Sequence, residues 1–474
     1  MPSLPVALAY AQENKDRFLH EFKEFLRLPS ISTLPEHKPD MTRAAEWLAA
    51  QLRGMGFDAV RIVPTRGHPV VVAEHMRAGP GVPTVLFYGH YDVQPVDPVD
   101  LWESAPFEPT LRGDDLFARG ASDMKGQVVA HLKAVEAMVR TEGLPVNLKY
   151  MVEGEEEIGS PNLADFIREN QELLDADLCL NADSGILSPD IPSITYALRG
   201  LAYFEIRLQG AAGDLHSGTY GGAIDNPARV LCQLIAGMKD SDGRITLPKF
   251  YDHVRPLSEQ ERRDFAALPQ SDEWWKDRSG AKVLFGEAGY TTTERATARP
   301  TLEVNGLLSG FTGEGSKTVL PAKAMAKISM RLVPDQRPEE IQESLEAYLK
   351  GNAPATVTWE VLQHASGAPA IVERDSDAVR AASLALEEVW GRKPLFKREG
   401  GSVPVVGMVE EILRIPTLML GFGLPDDNLH APNEKQHLPN FWRGIETFIR
   451  FTHHLAASSA TSSLKAGKRR GHRE

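Results

Sequence analysis

The sequence predicts an α/β protein that carries an inserted α+β domain, and three observations support this fold class. Short apolar strands such as TVLFYG and NLKYMV alternate with helices such as GQVVAHLKAVEAMVR, which is typical of a parallel-rich sheet with helices on both faces. After about residue 194, segments such as ITYALRGLAYFEIRLQG and AKISMRLVP alternate polar and apolar side chains, as half-buried antiparallel strands do. From residue 371 the first pattern resumes. We therefore expect one discontinuous domain, 1–194 and 371–474, around an insert of residues 195–370.

The elements of the discontinuous domain can be assigned in chain order. The segment AQENKDRFLHEFKEFLRLPS has apolar residues at helical spacing and ends at Pro29. A glycine closes a second amphipathic helix, TRAAEWLAAQLRGMGF, and the strands TVLFYG, NLKYMV and DADLCL follow. After the insert, DAVRAASLALEEVW is predicted as a helix and PTLMLGF as a strand. The small, polar and basic segment 457–474 is predicted to be a disordered tail.

The insert is predicted to place two helices, NPARVLCQLIAGM and PEEIQESLEAYLK, on one face of an antiparallel sheet. Within it, residues 240–316 contain the aromatic residues Trp274, Trp275 and Tyr290, but their apolar periodicity is weak. No elements are assigned to that stretch.

Composition limits the classes of protein to which the chain can belong. A chain of 474 residues is too long for a single hydrophobic core, so two domains are expected. Its content of 42% apolar and 25% charged residues is typical of globular proteins. A formal charge of −13 disfavours nucleic acid and anionic membranes as main partners. Two cysteines cannot build a disulfide framework, and no apolar run approaches the length of a membrane span. The first residues, MPSLPVALAYAQENKDRF, do not resemble a signal peptide, so a cytoplasmic protein is expected.

Residues of metal-ligand type follow several predicted strands. TVLFYG leads to His90, NLKYMV to the glutamate cluster of VEGEEEIGS, DLCLNA to Asp183, and TLMLGFGLPDDN to His430. Asp123 lies just before a helix start, where the helix dipole favours an anion. Each feature alone has an ordinary structural explanation, such as a helix cap or a solvated acidic face. Because ligands bind at the carboxyl ends of strands in open α/β sheets, their repetition predicts a convergent site.

Imidazole and carboxylate side chains are the ligands that zinc takes in catalytic sites. Two ions about 3.5–4 Å apart, bridged by a carboxylate and a hydroxide, form a hydrolytic centre. Three carboxylates, Asp123, Glu157 and Asp183, together with one hydroxide would balance the four positive charges of two divalent ions. The composition of the expected site therefore suits a pair of divalent cations.

Six segments resemble the signature segments of one family, in that family's order. They are GHYDVQP, ARGASDMKG, EGEEEIGS, NADSG, GDLHSGTYGG and LHAPNE. The sequence is therefore similar to the carnosinase and carboxypeptidase G family of dinuclear zinc peptidases, including cytosolic dipeptidases. The resemblance covers most of the chain, and it implies that the insert is a lid and dimerisation domain.

The resemblance implies a role for each matching residue. One ion is implied to bind His90 and Asp183 and the other Glu157 and His430, with Asp123 bridging them. Two divalent ions are expected, with zinc first and manganese or cobalt as alternatives.

The catalytic roles also follow from the resemblance. Asp92 would orient the His90 imidazole, and Glu156 would be the general base. The additional Glu155 makes the register uncertain by one residue, and the GS that follows selects Glu156. His216 would stabilise the oxyanion of the tetrahedral intermediate, reaching a partner chain's site across a homodimer.

Three further residues, Arg331, Thr318 and Ser402, match positions that hold the substrate's carboxylate end in related dipeptidases, and His364 is expected to reach the same pocket. Arginine suits this role because its planar guanidinium binds a carboxylate through two hydrogen bonds. Arg331 could equally be a strand-end arginine paired with a nearby aspartate.

The expected function is hydrolysis of a dipeptide or a related N-acyl amino acid. The alternatives are a deacylase, such as a succinyl-diaminopimelate desuccinylase or an N-acetyl amino acid deacetylase, an aminopeptidase for longer peptides, and a non-catalytic binding protein with the same fold. The long segment 240–316 favours the dipeptidase branch, whose insert is larger. No ligand or base of the family pattern is missing, which argues against the binding protein.

Overall fold

The structure is a computed structural model that describes residues 4–401 and 403–470. The chain folds into two compact units. The first unit comprises Met1–Tyr196, Val372–Lys397 and Met408–Glu474, and the second comprises Ala197–Ile371 and Arg398–Gly407. The short segment Arg398–Gly407 thus belongs with the insert rather than with the chain that follows it.

The α-helices of the described residues are, in chain order, α1 (Leu4–Glu13), α2 (Lys15–Leu26), α3 (Lys38–Gly54), α4 (Lys125–Thr141), α5 (Leu163–Glu169), α6 (Gln171–Leu174), α7 (Ser217–Tyr220), α8 (Pro227–Gly237), α9 (Glu259–Ala266), α10 (Asp272–Ser279), α11 (Thr292–Thr297), α12 (Pro338–Asn352), α13 (Asp377–Trp390), α14 (Pro404–Ile412) and α15 (Leu438–Arg470). Short 3-10 turns occur at Pro35–His37, Val99–Leu101 and Glu156–Ile158. Over the described part of the chain, no helix combines the length and apolar character that crossing a bilayer requires.

The strands are β1 (Asp58–Val63), β2 (Val70–His75), β3 (Thr84–His90), β4 (Thr110–Arg112), β5 (Asp115–Phe117), β6 (Asn147–Glu153), β7 (Leu178–Asn181), β8 (Ser193–Leu198), β9 (Gly200–Gln209), β10 (Leu215–His216), β11 (Thr301–Ser309), β12 (Val319–Leu320), β13 (Lys323–Leu332), β14 (Thr358–Gly367), β15 (Ala370–Ile371), β16 (Leu395–Glu399), β17 (Thr417–Met419) and β18 (Lys435–His437).

The central sheet of the first unit has a parallel core. Its strand order begins β1-β2-β6-β3-β7-β17-β8, and β3 pairs in parallel with both β6 and β7, as β7 does with β17. The strands β3, β6 and β7 are almost wholly buried, as expected when both faces of a sheet are covered. His90 lies opposite Glu153 in the register, and Tyr88 lies opposite Asn181. The carboxyl ends of these three strands therefore reach the same edge.

Helix α4 anchors one side of that edge. It is buried along nearly its whole length and packs against α1, α2, α15 and β3. Its first residue, Lys125, is fully buried and donates hydrogen bonds from Nζ to the carbonyl oxygens of Phe25 and Leu28, at 3.2 and 2.6 Å. The start of α4, and with it the segment that precedes the helix, is thus fixed to the end of α2.

The second unit is an α+β layer structure. Its antiparallel sheet has the order β11-β13-β9-β14, and α8 and α12 pack against it. The apolar side of β9, which includes Phe204 and Ile206, packs in one core with Leu231 of α8 and Leu345 of α12. Polar residues alternate with these along the strand, as the sequence predicts. The predicted fold class is confirmed in both units.

Two stretches differ from or extend the sequence analysis. The unassigned residues 240–316 contain the short helices α9, α10 and α11 together with β11. In place of the disordered tail predicted for 457–474, helix α15 continues to Arg470, and residues 471–474 lie outside the described residues. The physical reason is that a helix already begun extends at a small cost per residue, about 0–1 kcal/mol even for the serines, threonine and glycine of this segment.

Candidate metal centre

The candidate metal centre lies at the carboxyl edge of the parallel strands in the first unit. Strand β3 ends at His90, β6 leads into the 3-10 turn Glu156–Ile158, and β7 is followed by Asp183. Asp123 precedes α4, and His430 lies in the loop after β17. These side chains come from five separate segments, and the topology of the sheet brings the segments to one place.

Asp123 is the centre of this group. Its Oδ1 lies 3.2 Å from Nε2 of His90, and its Oδ2 lies 2.9 Å from Nε2 of His430. The same nitrogen of His430 is 3.2 Å from Oε2 of Glu157. One ligand atom each from His90, Asp123 and Glu157 lies within 4.8 Å of the others. Asp123 therefore presents one carboxylate oxygen to each of two imidazoles.

The donor set fits divalent cations. His90 is fully buried, and among the described residues its Nε2 makes no hydrogen bond of good geometry, although Oδ1 of Asp123 lies 3.2 Å away. A buried ring nitrogen with an unused lone pair among carboxylates is what a metal ligand requires. Imidazole and carboxylate ligands suit zinc, manganese and cobalt.

Asp92 connects His90 to the glutamate turn. It is fully buried; its backbone oxygen lies 3.1 Å from Nδ1 of His90, and its Oδ1 lies 3.4 Å from the same nitrogen. Its two carboxylate oxygens also accept the backbone N–H groups of Glu156, at 3.3 Å, and Glu157, at 3.1 Å. A backbone carbonyl or carboxylate oxygen behind a ligating imidazole fixes the orientation of the ring. Asp92 fixes the backbone of the turn as well.

Asp183 lies near the same charges without joining the group of three. Its backbone N–H donates to Oδ1 of Asn181 at 2.8 Å. Burial, and next the charge of Asp123, raise the pKa of Asp183 to about 7. The carboxylate thus lies in the field of the cluster, where it could serve as a ligand of one ion.

The pKa values of the centre reflect crowding of negative charge. The pKa of Glu156 is raised to about 8, mainly by burial. The charge of His90 lowers this pKa, and the charge of Asp183 raises it. Hydrogen bonds to Asp123 and then Glu157 raise the pKa of His430 to about 10. Carboxylates held close together out of water need positive charge, which protons or metal ions can supply.

The other two glutamates of VEGEEEIGS point away from the centre, as expected. Glu153 accepts hydrogen bonds from the hydroxyls of Tyr88, at 2.8 Å, and Ser160, at 2.9 Å. Glu155 accepts from Nδ2 of Asn162 at 2.9 Å and from the backbone N–H of His68 at 3.1 Å. These contacts occupy Glu155 elsewhere and favour Glu156 as the residue beside the metals.

Gln94 is a residue of the site that the sequence analysis did not identify. Its Nε2 donates to Oε2 of Glu157 at 2.8 Å and to the backbone oxygen of Glu157 at 3.2 Å. The glutamine belongs to GHYDVQP, the segment that contains His90. The motif could have suggested it, but the hydrogen bond depends on β3 and β6 being neighbours.

The remaining predicted site residues belong to the second unit. His216 caps α7, its Nδ1 accepts the backbone N–H of Gly218 at 3.0 Å, and Ser217 donates its backbone N–H to the Thr318 carbonyl oxygen at 3.1 Å. His216 and Thr318 are thus neighbours within that unit.

Two of the other candidates, Arg331 and His364, lie on different strands of the second unit. Arg331 lies near the end of β13, opposite Thr301 and Leu201. His364 on β14 lies with Nε2 3.0 Å from Oε2 of Glu205. Ser402 lies outside the described residues.

Comparisons with known proteins agree on one family. The model of peptidase family M20/M25/M40 matches residues 86–454. The Cys-Gly metallodipeptidase DUG1 of Candida albicans is 31% identical over 466 residues, which cover 94% of this chain and 95% of that protein. The Beta-Ala-His dipeptidase of Homo sapiens is 30% identical over 481 residues, covering 95% and 93%. The solved M20 family metallo-carboxypeptidase Sso-CP2 from Sulfolobus solfataricus has a TM-score of 0.80 at 34% identity, covering 93% of this chain and 99% of that one.

The family match spans most of the chain, including the segments that carry His90, Asp123, Glu157, Asp183 and His430. The resemblance indicated by the sequence motifs is confirmed. The chain belongs to peptidase family M20/M25/M40.

Proposed function

We propose that this protein is a dipeptidase that uses two divalent cations bound in the candidate metal centre. The observation that carries the proposal is the placement of Asp123, which offers one carboxylate oxygen to each of two imidazoles, as a bridging ligand would. The names of the relatives, a Cys-Gly metallodipeptidase and a Beta-Ala-His dipeptidase, support dipeptides as the substrate class.

The proposal divides the ligands into two sets. His90 and Asp183 would hold one ion, Glu157 and His430 would hold the other, and Asp123 would bridge them. Zinc is the proposed metal because its catalytic sites combine imidazole with carboxylate, and manganese and cobalt suit the same ligands. When bound, such ions polarise the scissile carbonyl and lower the pKa of water at the site.

Glu156 is the proposed general base and acid. It takes a proton from the attacking water and returns it to the leaving amine. Burial and the neighbouring carboxylates raise the pKa of Glu156 in the metal-free protein; the positive charge of bound ions would lower it towards the range in which a carboxylate accepts a proton from water and returns it. Asp92 assists by holding the backbone of Glu156 and the ring of His90.

His216 is proposed to donate a hydrogen bond to the oxyanion of the tetrahedral intermediate. Because its Nδ1 accepts the N–H of Gly218, the proton of the neutral ring lies on Nε2, which is then a donor. The proposal includes a homodimer formed through the second unit, in which His216 serves the partner's metal centre. Arg331, Thr318 and Ser402 are proposed to bind the carboxylate end of the substrate, and His364 is proposed to line the same substrate pocket.

A cytoplasmic location completes the proposal. Both cysteines, Cys179 and Cys232, are free thiols, which suits a reducing compartment.

The test is hydrolysis of a peptide panel by the purified protein, reconstituted in turn with zinc, manganese and cobalt. The panel contains dipeptides, tripeptides, and N-acetyl and N-succinyl amino acids. We expect kcat/KM to be highest for dipeptides, and we expect the Glu156→Gln protein to be inactive under the same conditions. Preferred cleavage of the N-acyl amino acids would instead identify a deacylase. Preferred cleavage of tripeptides from either end would identify an exopeptidase for longer chains.

A further inference from the structure

Glu434 is a buried carboxylate close to the metal centre that the proposed chemistry does not use. It follows His430 by four residues and is fully buried. Its Oε2 accepts hydrogen bonds from Nη1 of Arg119 and the backbone N–H of Gly120, both at 2.8 Å. Its Oε1 accepts from the backbone N–H groups of Ser122 and Asp123, both at 3.0 Å. Four donors thus converge on one carboxylate.

These donors all lie in the loop that carries Asp123. Three of them are backbone amides, and one is the amide of Asp123 itself. The backbone adds a further bond, from the N–H of Ala118 to the carbonyl oxygen of Glu434, at 3.0 Å. The segment that follows His430 therefore fixes the backbone of the loop from which the Asp123 carboxylate projects.

A second buried carboxylate ties the other end of the His430 loop to the same segment. Asp427 accepts hydrogen bonds at Oδ2 from the hydroxyl of Ser122 and from the N–H of Leu424, both at 2.7 Å. Its carbonyl oxygen accepts the N–H of Lys435 at 3.0 Å. The loop is thus attached both before and after His430.

The backbone between these attachments adopts left-handed conformations at three residues. Asn428, His430 and Asn433 have φ angles of 55°, 59° and 61°, in the left-handed region that non-glycine residues rarely adopt. Such conformations persist only where the surrounding structure enforces them. The side chain of Asn433 bonds to the backbone of Leu101 and Glu103, and the two carboxylates hold the loop on either side of His430.

We propose that Glu434 is a positioning residue that sets the Asp123 carboxylate against the imidazole of His430, and that Asp427 completes this clamp through Ser122. The inference rests on the proposed metal site. It assigns Glu434, the glutamate of LHAPNE, a purpose other than ligation.

A simpler reading is that Glu434 only neutralises the buried guanidinium of Arg119. That reading accounts for one donor of the four and leaves the three amides unexplained. It also predicts a different result for metal binding. Loss of a counter-ion would destabilise the fold and leave the affinity of the folded protein for metal unchanged.

The test compares Glu434→Gln with the wild type and with Asp426→Asn. The glutamine has the same shape, but its amide nitrogen cannot accept, so two of the four donors lose their acceptor. We expect the affinity for Zn²⁺, measured by competition with a chromophoric chelator, to fall about 10–100-fold, as it does when other residues that hold metal ligands in place are changed. The visible spectrum of the Co²⁺ form should shift as well. Asp426 lies in the same loop, is 69% exposed and pairs with Lys435, so its variant should match the wild type.

Wild-type Zn²⁺ affinity and an unchanged Co²⁺ spectrum in folded Glu434→Gln would overturn the clamp and leave the counter-ion reading. Should that protein not fold, Ser122→Ala removes only the bond to Asp427, and a several-fold loss of Zn²⁺ affinity is expected. Unchanged affinity in Ser122→Ala would then overturn the proposal. A wild type that binds two ions but cleaves no peptide would refute the proposed function while leaving the clamp intact.

Discussion

Asp92 gives two adjacent glutamates different environments. Its oxygens hold the backbone N–H groups of Glu156 and Glu157 at 3.3 and 3.1 Å. The carboxylate of Glu157 lies 3.2 Å from the ring of His430 and accepts a hydrogen bond from Gln94. Glu156 lies instead where burial raises its pKa to about 8. The geometry thus suits a ligand at Glu157 and a base at Glu156.

The first prediction separates these roles. Glu156→Gln should retain both metal ions and lose roughly 10²–10⁴-fold in kcat, because general-base catalysis is removed while the ligands remain. Glu157→Gln should lose one ion. Elemental analysis and kcat of the two proteins check this.

The opposite pattern, with metal loss in Glu156→Gln and a metal-replete, inactive Glu157→Gln, would exchange the two assignments. Glu155→Gln is the control for the register. It should keep both activity and metals, since Glu155 bonds to Asn162 and His68.

For individual residues, the sequence could predict the ligands of the metal centre, but not the residues that hold those ligands in place. His90, Asp123 and Asp183 stand out because they follow strands or precede a helix. Gln94 and Glu434 act through hydrogen bonds between segments far apart in sequence. Such bonds depend on which loops become neighbours, and local patterns do not contain that information.

The start of helix α4 is the element on which the metal centre depends. A Cβ added at Gly126 would lie 2.1 Å from the carbonyl oxygen of Ala121, a backbone atom that cannot move without the Asp123 loop. Gly54, the last residue of α3, has nothing within 4 Å of the same position. The two helical glycines therefore have different reasons to be glycine.

The second prediction concerns these two positions. Gly126→Ala should lower the free energy of unfolding by about 1–3 kcal/mol, the cost of overpacking, and should weaken Zn²⁺ binding. Gly54→Ala should be neutral or more stable by up to about 1 kcal/mol, through helix propensity. Thermal unfolding and chelator competition measure both effects. A Gly126→Ala protein as stable as the Gly54→Ala protein would show that the loop has room to move.

Helix α4 also carries His131, a histidine without a catalytic role. Its ring stacks on Phe87 with centroids 3.8 Å apart, and its Nδ1 lies 2.8 Å from the hydroxyl of Tyr150. Burial lowers the pKa of His131 to about 3, from an ordinary value of 6.5. Below pH 6.5 His131 therefore becomes protonated in the unfolded chain, whereas in the folded chain it stays neutral until the pH approaches 3.

The third prediction follows from that sign. The contribution of the neutral His131 ring to the free energy of unfolding is complete above pH 6.5. It is lost as the pH falls towards 3, by about 1.4 kcal/mol per pH unit. His131→Gln should make the urea midpoint fall less between pH 7 and pH 5 than it does in the wild type. His20→Gln, at a 70% exposed position, should follow the wild type. Parallel curves for all three proteins would exclude His131 as a source of acid sensitivity.

The elements of residues 240–316 show where periodicity fails. Helices α9, α10 and α11 have 8, 8 and 6 residues, fewer than the roughly 11–18 residues over which a helical apolar pattern can be read. Their starts were nevertheless encoded, because Ser258–Glu261 and Thr291–Glu294 form capping boxes. A search for capping residues would have found two of these helices.

At the scale of the whole molecule, the sequence predicted two fold types in one chain because their strands have different patterns. Parallel strands buried on both faces are continuously apolar, whereas strands of the insert alternate. The return of Arg398–Gly407 to the second unit has no such signature, since the segment is short and runs from the end of β16 into the first turn of α14. Assembly likewise lies beyond what strand patterns encode.

The last prediction concerns assembly, through residues of different units. Glu156 belongs to the first unit and His216 to the second. In the proposed homodimer His216 acts on the partner's substrate, and one such oxyanion donor is worth about 2.7–4 kcal/mol of transition-state stabilisation. Glu156→Gln and His216→Ala should each be nearly inactive alone. The two proteins are unfolded, mixed in equal amounts and refolded.

Random pairing gives a mixed dimer half of the time, and in it one centre lacks both groups while the other has both. Activity should therefore return to about a quarter of the wild-type value, with each variant refolded alone as the control. If His216 acts within its own chain, every centre in the mixture keeps one defect, and activity stays at the level of the single variants. That result would confine the catalytic groups to one chain, and a monomeric wild type in solution would lead to the same conclusion.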